Sequence, residues 1–205
     1  SLLSRSDPAV SEPFGPLTSD YLATQFKRLE DSEYSVQDKD TYVSNVEDFR
    51  SAVKSIESAS GKRPTSKTSS ARGDYHVLEG SVKTQKQRLR NAGVSAKIVD
   101  AISDDPLDWT SDQSDLMFFG NLFQQKPIDP KLADKLSFSS GLGTDALLHE
   151  VGMKRNVGAA MDLYFTYHMN LTKEPTIYQR RNAGRLYDLF GSRSDTTQAS
   201  FSPNY

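Results

Sequence analysis

Apolar residues recur along most of the chain at steps of three and four, the spacing that puts them on one side of an α-helix. Tyr21, Leu22, Phe26 and Leu29 predict a short amphipathic helix from Leu17 to Glu30, with Thr18, Ser19 and Asp20 as N-cap candidates. Tyr42, Val46, Phe49, Val53 and Ile56 predict a longer one from about Asp40 to Ser58, with a charged, solvated opposite face. Val82 to Asn91 reads as a basic helix ended by Gly93. Ser95 to Ser103 reads as a shorter one that turns Ala96, Val99 and Ile102 toward a core with Ile98. The densest apolar run, Leu116 to Phe119 with Leu122 and Phe123, follows Trp109 and predicts a buried helix with Ser111 and Asp112 as caps.

Beyond Pro127 the pattern predicts a short helix over Pro130 to Leu136 and a Gly-rich turn at Ser139 to Gly143. A long helical stretch then runs from Thr144 to about Leu171, which Gly152 and Gly158 interrupt. A last helix runs from Thr176 to Phe190, with Pro175 in its first turn and Gly191 at its end. Alternating strand patterns are absent, so the expected fold class is all-α. Residues 1–16 hold three prolines and read as an extended N-terminal arm with Phe14 as its one large anchor. Residues 17–73 carry the first two helices and a basic linker, 74–191 a helical core, and 192–205 a Ser/Thr-rich C-terminal tail in which Phe201 and Tyr205 are the groups a neighbour would pin. Ser60 to Gly73, with Lys62, Arg63, Lys67 and Arg72 and no large apolar residue, reads as a solvated loop, with an ordered RNA contact as the alternative.

Composition narrows the function classes. A chain of 205 residues with 36% hydrophobic content and a mean hydropathy of −0.61 supports one domain with much surface, arm and tail. A net charge of −2 argues against coating nucleic acid by bulk positive charge and leaves room for local basic grooves. The absence of Cys removes disulfides, thiolate nucleophiles and Cys-type metal sites. No apolar run approaches the length that crosses a bilayer, and the first residues resemble neither a signal nor a transit peptide, so the chain reads as soluble, with no membrane partner, and unprocessed apart from loss of an initiator Met.

Enzyme motifs are missing. His76, His149 and His168 are far apart, with no ligand spacing, and no phosphate loop, dinucleotide fingerprint or nucleophile elbow is present, so no metal, cofactor or catalysis is expected. Two features carry chemistry. Asp162 stands in an apolar stretch, GMKRNVGAAMDLYF, just after Lys154 and Arg155; a buried carboxylate needs a cation or several donors, so this one implies a partner, a bend to the surface or a site. Tyr164, Tyr167, Tyr178, Arg180, Arg181, Arg185 and Tyr187 set aromatic faces and guanidinium forks on two consecutive helices, the residue types that hold single-stranded nucleic acid, and equally those of an amphipathic helix with Arg on its outer face.

GAAMDLYF at 158–165 resembles the Ala-aromatic-Asp-aromatic core motif of coat proteins from flexible filamentous plant viruses. GMKRNV at 152–157 is similar to the GLQRNL-type segment of potyvirus coat proteins, and NAGRLYDLFG at 182–191 to their Arg-Leu-Phe-Gly ending. The resemblance implies a subunit that polymerises through its N- and C-terminal arms into a helical filament. It implies packaging of single-stranded RNA without sequence specificity, in a virion assembled in the host cytoplasm. It also implies that Asp162 orients an Arg against phosphate, with Arg155, Arg88 or Arg90 as that partner. Candidate RNA contacts are therefore Asp162, Arg155, Lys154, Arg88, Arg90, Arg180, Arg181, Arg185 and Tyr164. The alternative is a non-enzymatic helical adaptor, or a structural subunit of a larger complex, whose Tyr and Arg residues serve a protein interface.

Overall fold

The computed structural model describes residues 13–67, 69–136, 142–171 and 173–191; the expected N-terminal arm before residue 13, most of the Gly-rich turn and the C-terminal tail lie outside them. The described part is all-α. Its helices are α1 (Pro16–Leu29), α2 (Lys39–Ser58), α3 (Val82–Asn91), α4 (Ala96–Asp100), α5 (Ser111–Leu122), α6 (Pro130–Leu136), α7 (Thr144–Lys154), α8 (Val157–Asp162) and α9 (Ile177–Leu186). α8 runs on into a π-helical turn, Leu163–His168, and α9 into another, Tyr187–Gly191. Among the described residues there is no strand, only the isolated bridges Thr65 to Arg72 and Arg72 to Val77.

One core joins both ends of the chain. The α2 stripe is wholly buried, and Phe49 packs against Phe118 of α5 and Phe190 at the end of the last helix. α5 is buried on nearly every side from Ser114 to Leu122 and lies between α1 and α3, as its unbroken apolar run requires. α2 and α7 pack closest. A Cβ on Gly152 of α7 would stand 2.2 Å from Cδ2 of the buried Tyr42, so this glycine is there for backbone approach. Asn45 then donates to the Gly152 carbonyl at 2.8 Å and fixes the crossing.

Several helix ends differ from the expectation because their caps come from afar. Asp112, expected to cap α5, accepts from the N–H groups of Leu17 and Thr18 and so caps α1 from outside, while Thr110 and Gln113 form the capping box of α5. Thr18, Ser19 and Asp20 lie inside α1 and do not cap it. The Phe14 anchor rests on its own core, edge-on to Phe119 with the Arg50 guanidinium over its ring. The long stretch from Thr144 breaks at Arg155, whose φ of 51° ends α7, and Asn156 restarts the helix by accepting from the Ala159 N–H; Gly152 and Gly158 both stay helical. Ala96 is exposed, leaving Val99 and Ile102 as the buried residues around α4. Pro175 precedes Thr176, which caps α9 with Gln179.

Candidate nucleic-acid interface

The last turn of α2 builds a polar site beneath an outer basic face. Ala59, Ser60 and Gly61 all take positive φ, which turns the chain back after Ser58. The Ser58 hydroxyl donates to the Asp74 carbonyl at 2.6 Å and accepts from the Gly61 N–H at 2.9 Å. Lys54 meets the Asp74 carboxylate at 3.2 Å, and the Gly73 N–H donates to the Pro64 carbonyl at 2.7 Å. The loop expected to be a solvated linker is thus folded against α2, and it delivers His76 to Glu57.

Glu57 is mostly buried. Its Oε1 accepts from the Tyr164 hydroxyl, and its Oε2 is 3.7 Å from Nδ1 of His76. Nε2 of His76 lies 2.8 Å from the Arg63 carbonyl, which can only accept, so that nitrogen carries hydrogen and a neutral ring turns a bare Nδ1 toward Glu57. Burial pushes the Glu57 carboxyl up to about 7, against the Tyr164 hydrogen bond and the nearby charge of Arg185.

The π-helical turn after α8 supplies the floor. Its wide backbone, closed by the Met169 N–H on the Tyr164 carbonyl at 2.9 Å, stacks the rings of Tyr164 and His168 with centroids 5.9 Å apart. Burial lowers His168 to about 4, so it is neutral; Nε2 faces the Tyr75 carbonyl at 3.3 Å and the buried Nδ1 has no hydrogen-bond partner. Asn182 of α9 lies beside the Tyr164 hydroxyl, which ties the site to the last helix.

Above this floor α9 turns a row of side chains outward. Ile177, Arg181, Arg185 and Leu189 follow one another at steps of four, with Tyr178 beside them, so all five share one helical face. Ile177 is 74% exposed and Tyr178 67%. Arg181 and Arg185 are exposed, as are Lys62 and Arg63 of the folded loop, and among the described residues no salt bridge takes any of the four.

The other candidates are engaged with protein. Arg155 donates to Asp48 at 2.7 Å, to Asn45 at 3.2 Å and to the Phe190 carbonyl at 3.1 Å, with its guanidinium 4.4 Å from the Phe190 ring centroid. Arg88 is half-buried on Asn121, its pKa lowered by burial, and Arg90 meets Asp100 at 3.2 Å. Among the described residues the hydrogen bonds of Arg155, Arg88 and Arg90 go to these groups. Asp162 itself is 4% exposed at the end of α8. Tyr164 is fully buried, and its ring packs on His168 and Phe165, leaving no face for a base. Lys154 pairs with Glu150 at 3.0 Å and Arg180 stands 3.8 Å from Glu174. His149 sits beside Tyr34, and among the described residues no group of three His, Cys, Asp or Glu side chains is placed to hold a metal ion.

Glu57 and His76 were not site candidates from sequence, and Lys62 and Arg63 entered only through the alternative reading of 60–73 as an ordered RNA contact. The one local signal was the basic composition of 60–73; nothing local says that this loop folds against the end of α2 and brings His76 to Glu57. The chain matches no family model, no curated protein and no solved structure. What fold and site define is an all-α protein with a basic, aromatic-bearing face over a buried carboxylate.

Proposed function

We propose that this chain is a viral coat protein of the flexible filamentous type, which polymerises into a helical filament and packages single-stranded RNA without sequence specificity. The observation that carries the reading is that Arg181 and Arg185 on the outer face of α9, beside the exposed ring of Tyr178, and Lys62 and Arg63 on the folded loop are all exposed and have no salt-bridge partner among the described residues. Unpaired cations beside an exposed aromatic ring suit a backbone-tracking groove in which bases stack without being read. The order of the three motif segments between Gly152 and Gly191 supports the same reading. A subunit near neutrality suits it too, because many copies pack closely and each needs only a few cations for phosphate. Head-to-tail contacts that do not close would give the filament. The RNA contacts then centre on Arg181, Arg185 and Tyr178, while Arg155, Arg88 and Arg90 hold the subunit together.

The exposed Ile177, Tyr178 and Leu189 favour the second reading, a non-enzymatic adaptor whose last helix docks on a protein, since aromatic, aliphatic and Arg side chains also make interfaces. Negative-stain microscopy of protein purified without nuclease separates the two. Flexible filaments with extractable RNA support the coat protein; discrete, folded particles that ignore RNA at low salt overturn it.

A further inference from the structure

α2 runs between two ends of opposite charge. The chain leading into it carries Glu30, Asp31, Glu33, Asp38 and Asp40, all exposed, and among the described residues no salt bridge takes any of them. Asp38 and Asp40 serve the start of α2, the first as its N-cap and the second in its first turn. Glu30, Asp31 and Glu33 serve no helix start: they follow the last residue of α1, the end at which the helix dipole disfavours an anion. Between α1 and α2 this stretch borders an open groove of about 370 Å³, lined by Ala23, Phe26 and Val36 with Lys27, Glu30 and Lys39. At the other end of α2 the Arg63 N–H donates to the Ser58 carbonyl at 2.7 Å and the Lys62 N–H to the Ala59 carbonyl at 3.3 Å, so both cations are fixed at the helix terminus. Lys67 is exposed in the same loop. α2 has 20 residues, which sets groove and loop about 30 Å apart.

We propose that the groove between α1 and α2 receives the basic loop of a second copy of this chain, with Glu30, Asp31 and Glu33 facing Lys62, Arg63 and Lys67. This contact rests on the polymerising reading above and gives it a pair of surfaces. The occupant is argued from charge: three acids placed where their own helix gains nothing from them meet three cations that have no salt-bridge partner among the described residues. Half-buried Pro64 lies between two of those cations and brings an apolar surface toward Phe26 and Val36. Because the two surfaces differ and lie at opposite ends of one helix, the contact is heterologous, and each added copy offers a free groove or a free loop to the next. Growth along α2 therefore stays open. Lys62 and Arg63 go to the neighbouring copy, while Arg181, Arg185 and Tyr178 on α9 are left for RNA and recur once per subunit along the polymer.

The test is sedimentation velocity of the full chain at low salt after nuclease treatment, with helical content followed by circular dichroism. One variant reverses the acidic end, Asp31→Lys with Glu33→Lys; the other reverses the basic end, Lys62→Glu with Arg63→Glu. All four side chains are exposed, so both variants are expected to keep the wild-type helical signal. Wild type is expected to form polymers that disperse as salt rises to about 0.5 M, where screening is strong. Each variant alone sets like charges face to face and is expected to associate roughly a hundredfold more weakly. An equimolar mixture of the two restores opposite charges at every junction and is expected to polymerise again. A variant that polymerises alone as wild type does overturns the proposal, and so does a mixture of two folded variants that stays monomeric. Wild type that stays monomeric at every concentration overturns it as well. The RNA reading fails separately: polymers that follow the charge pattern yet bind no labelled oligouridylate uphold the contact and remove RNA.

Discussion

Arg155 and Arg185 stand at opposite ends of one design choice. Arg155 lies in the seam between α2, α7 and the end of α9, where carboxylate, amide, carbonyl and ring fill its donors and its face. Arg185 lies on the outer face of α9, exposed and without a salt bridge among the described residues, and the charge that senses it, Glu57, is bound to something else. The same contrast runs through the neighbours: Arg50 meets Glu47 and Asp115 in the core and Lys86 meets Asp104, whereas among the described residues Arg181, Lys62 and Arg63 meet no such partner. A buried cation without a partner costs several kcal/mol, so the inner set had to be neutralised; the outer set is solvated and carries no such demand. An arginine's role is thus set by who answers it, and the motif that contains it does not decide.

The contrast breaks hardest at Gly152. Gly152→Ala forces a methyl onto a ring that is buried and cannot move, and should destabilise by about 3 kcal/mol in urea unfolding, against less than about 0.5 kcal/mol for Arg181→Ala on the outer face. Arg155→Ala should follow at about 2 kcal/mol, because Asp48 keeps some water while the Phe190 carbonyl loses its donor.

Between the two sets lies Glu57, and its effect on stability has a definite sign. Its raised pKa means its contribution is whole below the ordinary value of 4.5 and is lost as pH rises through about 7. His168 runs the other way: its lowered pKa means stability is whole above 6.5 and is lost as pH falls toward about 4. The windows overlap and oppose, so wild type should show a flat profile from about pH 5 to about pH 6.5 in chemical denaturation. Glu57→Gln should gain about 2 kcal/mol at pH 8 and expose the acid lability of His168 below 6.5; a variant that keeps the flat profile would refute the assignment.

The smallest effect on stability should come with the largest on binding. Arg181→Ala combined with Arg185→Ala should melt within about 0.5 kcal/mol of wild type, weaken RNA binding and flatten its salt dependence by about 1.4 in the log–log slope. Unchanged RNA affinity in that double variant would move the contacts off α9.

Periodicity carried the helices because it is a local property: the α2 stripe and the α5 run were legible in full, and both lie in the core. What escaped was every polar partnership across the fold. Asp112 reaches Leu17, Arg155 reaches Asp48 and Tyr164 reaches Glu57, the last two across 107 residues, and no spacing rule connects such positions. The same blindness misplaced the break after α7. Glycines are weak helix formers, so Gly152 and Gly158 looked like interruptions. The break fell at Arg155, where capture of its side chain by three separate groups accompanies a left-handed backbone that its own sequence disfavours. The basic face was half legible, since the Arg and Tyr of α9 were visible and the fold of the 60–73 loop against Glu57 was not.

Phe190 has a consequence for how the chain comes to be made. Its ring is fully buried against Phe49, and its carbonyl receives Arg155, so the second helix and the hinge between α7 and α8 both wait on a residue near the end of the last helix. During synthesis the earlier helices can form and collapse, yet the hole that Phe190 fills stays open until that residue has left the ribosome. The core is therefore sealed from its last described helix, and the packing of α2 with the hinge after α7 is not complete before residue 190 has been made.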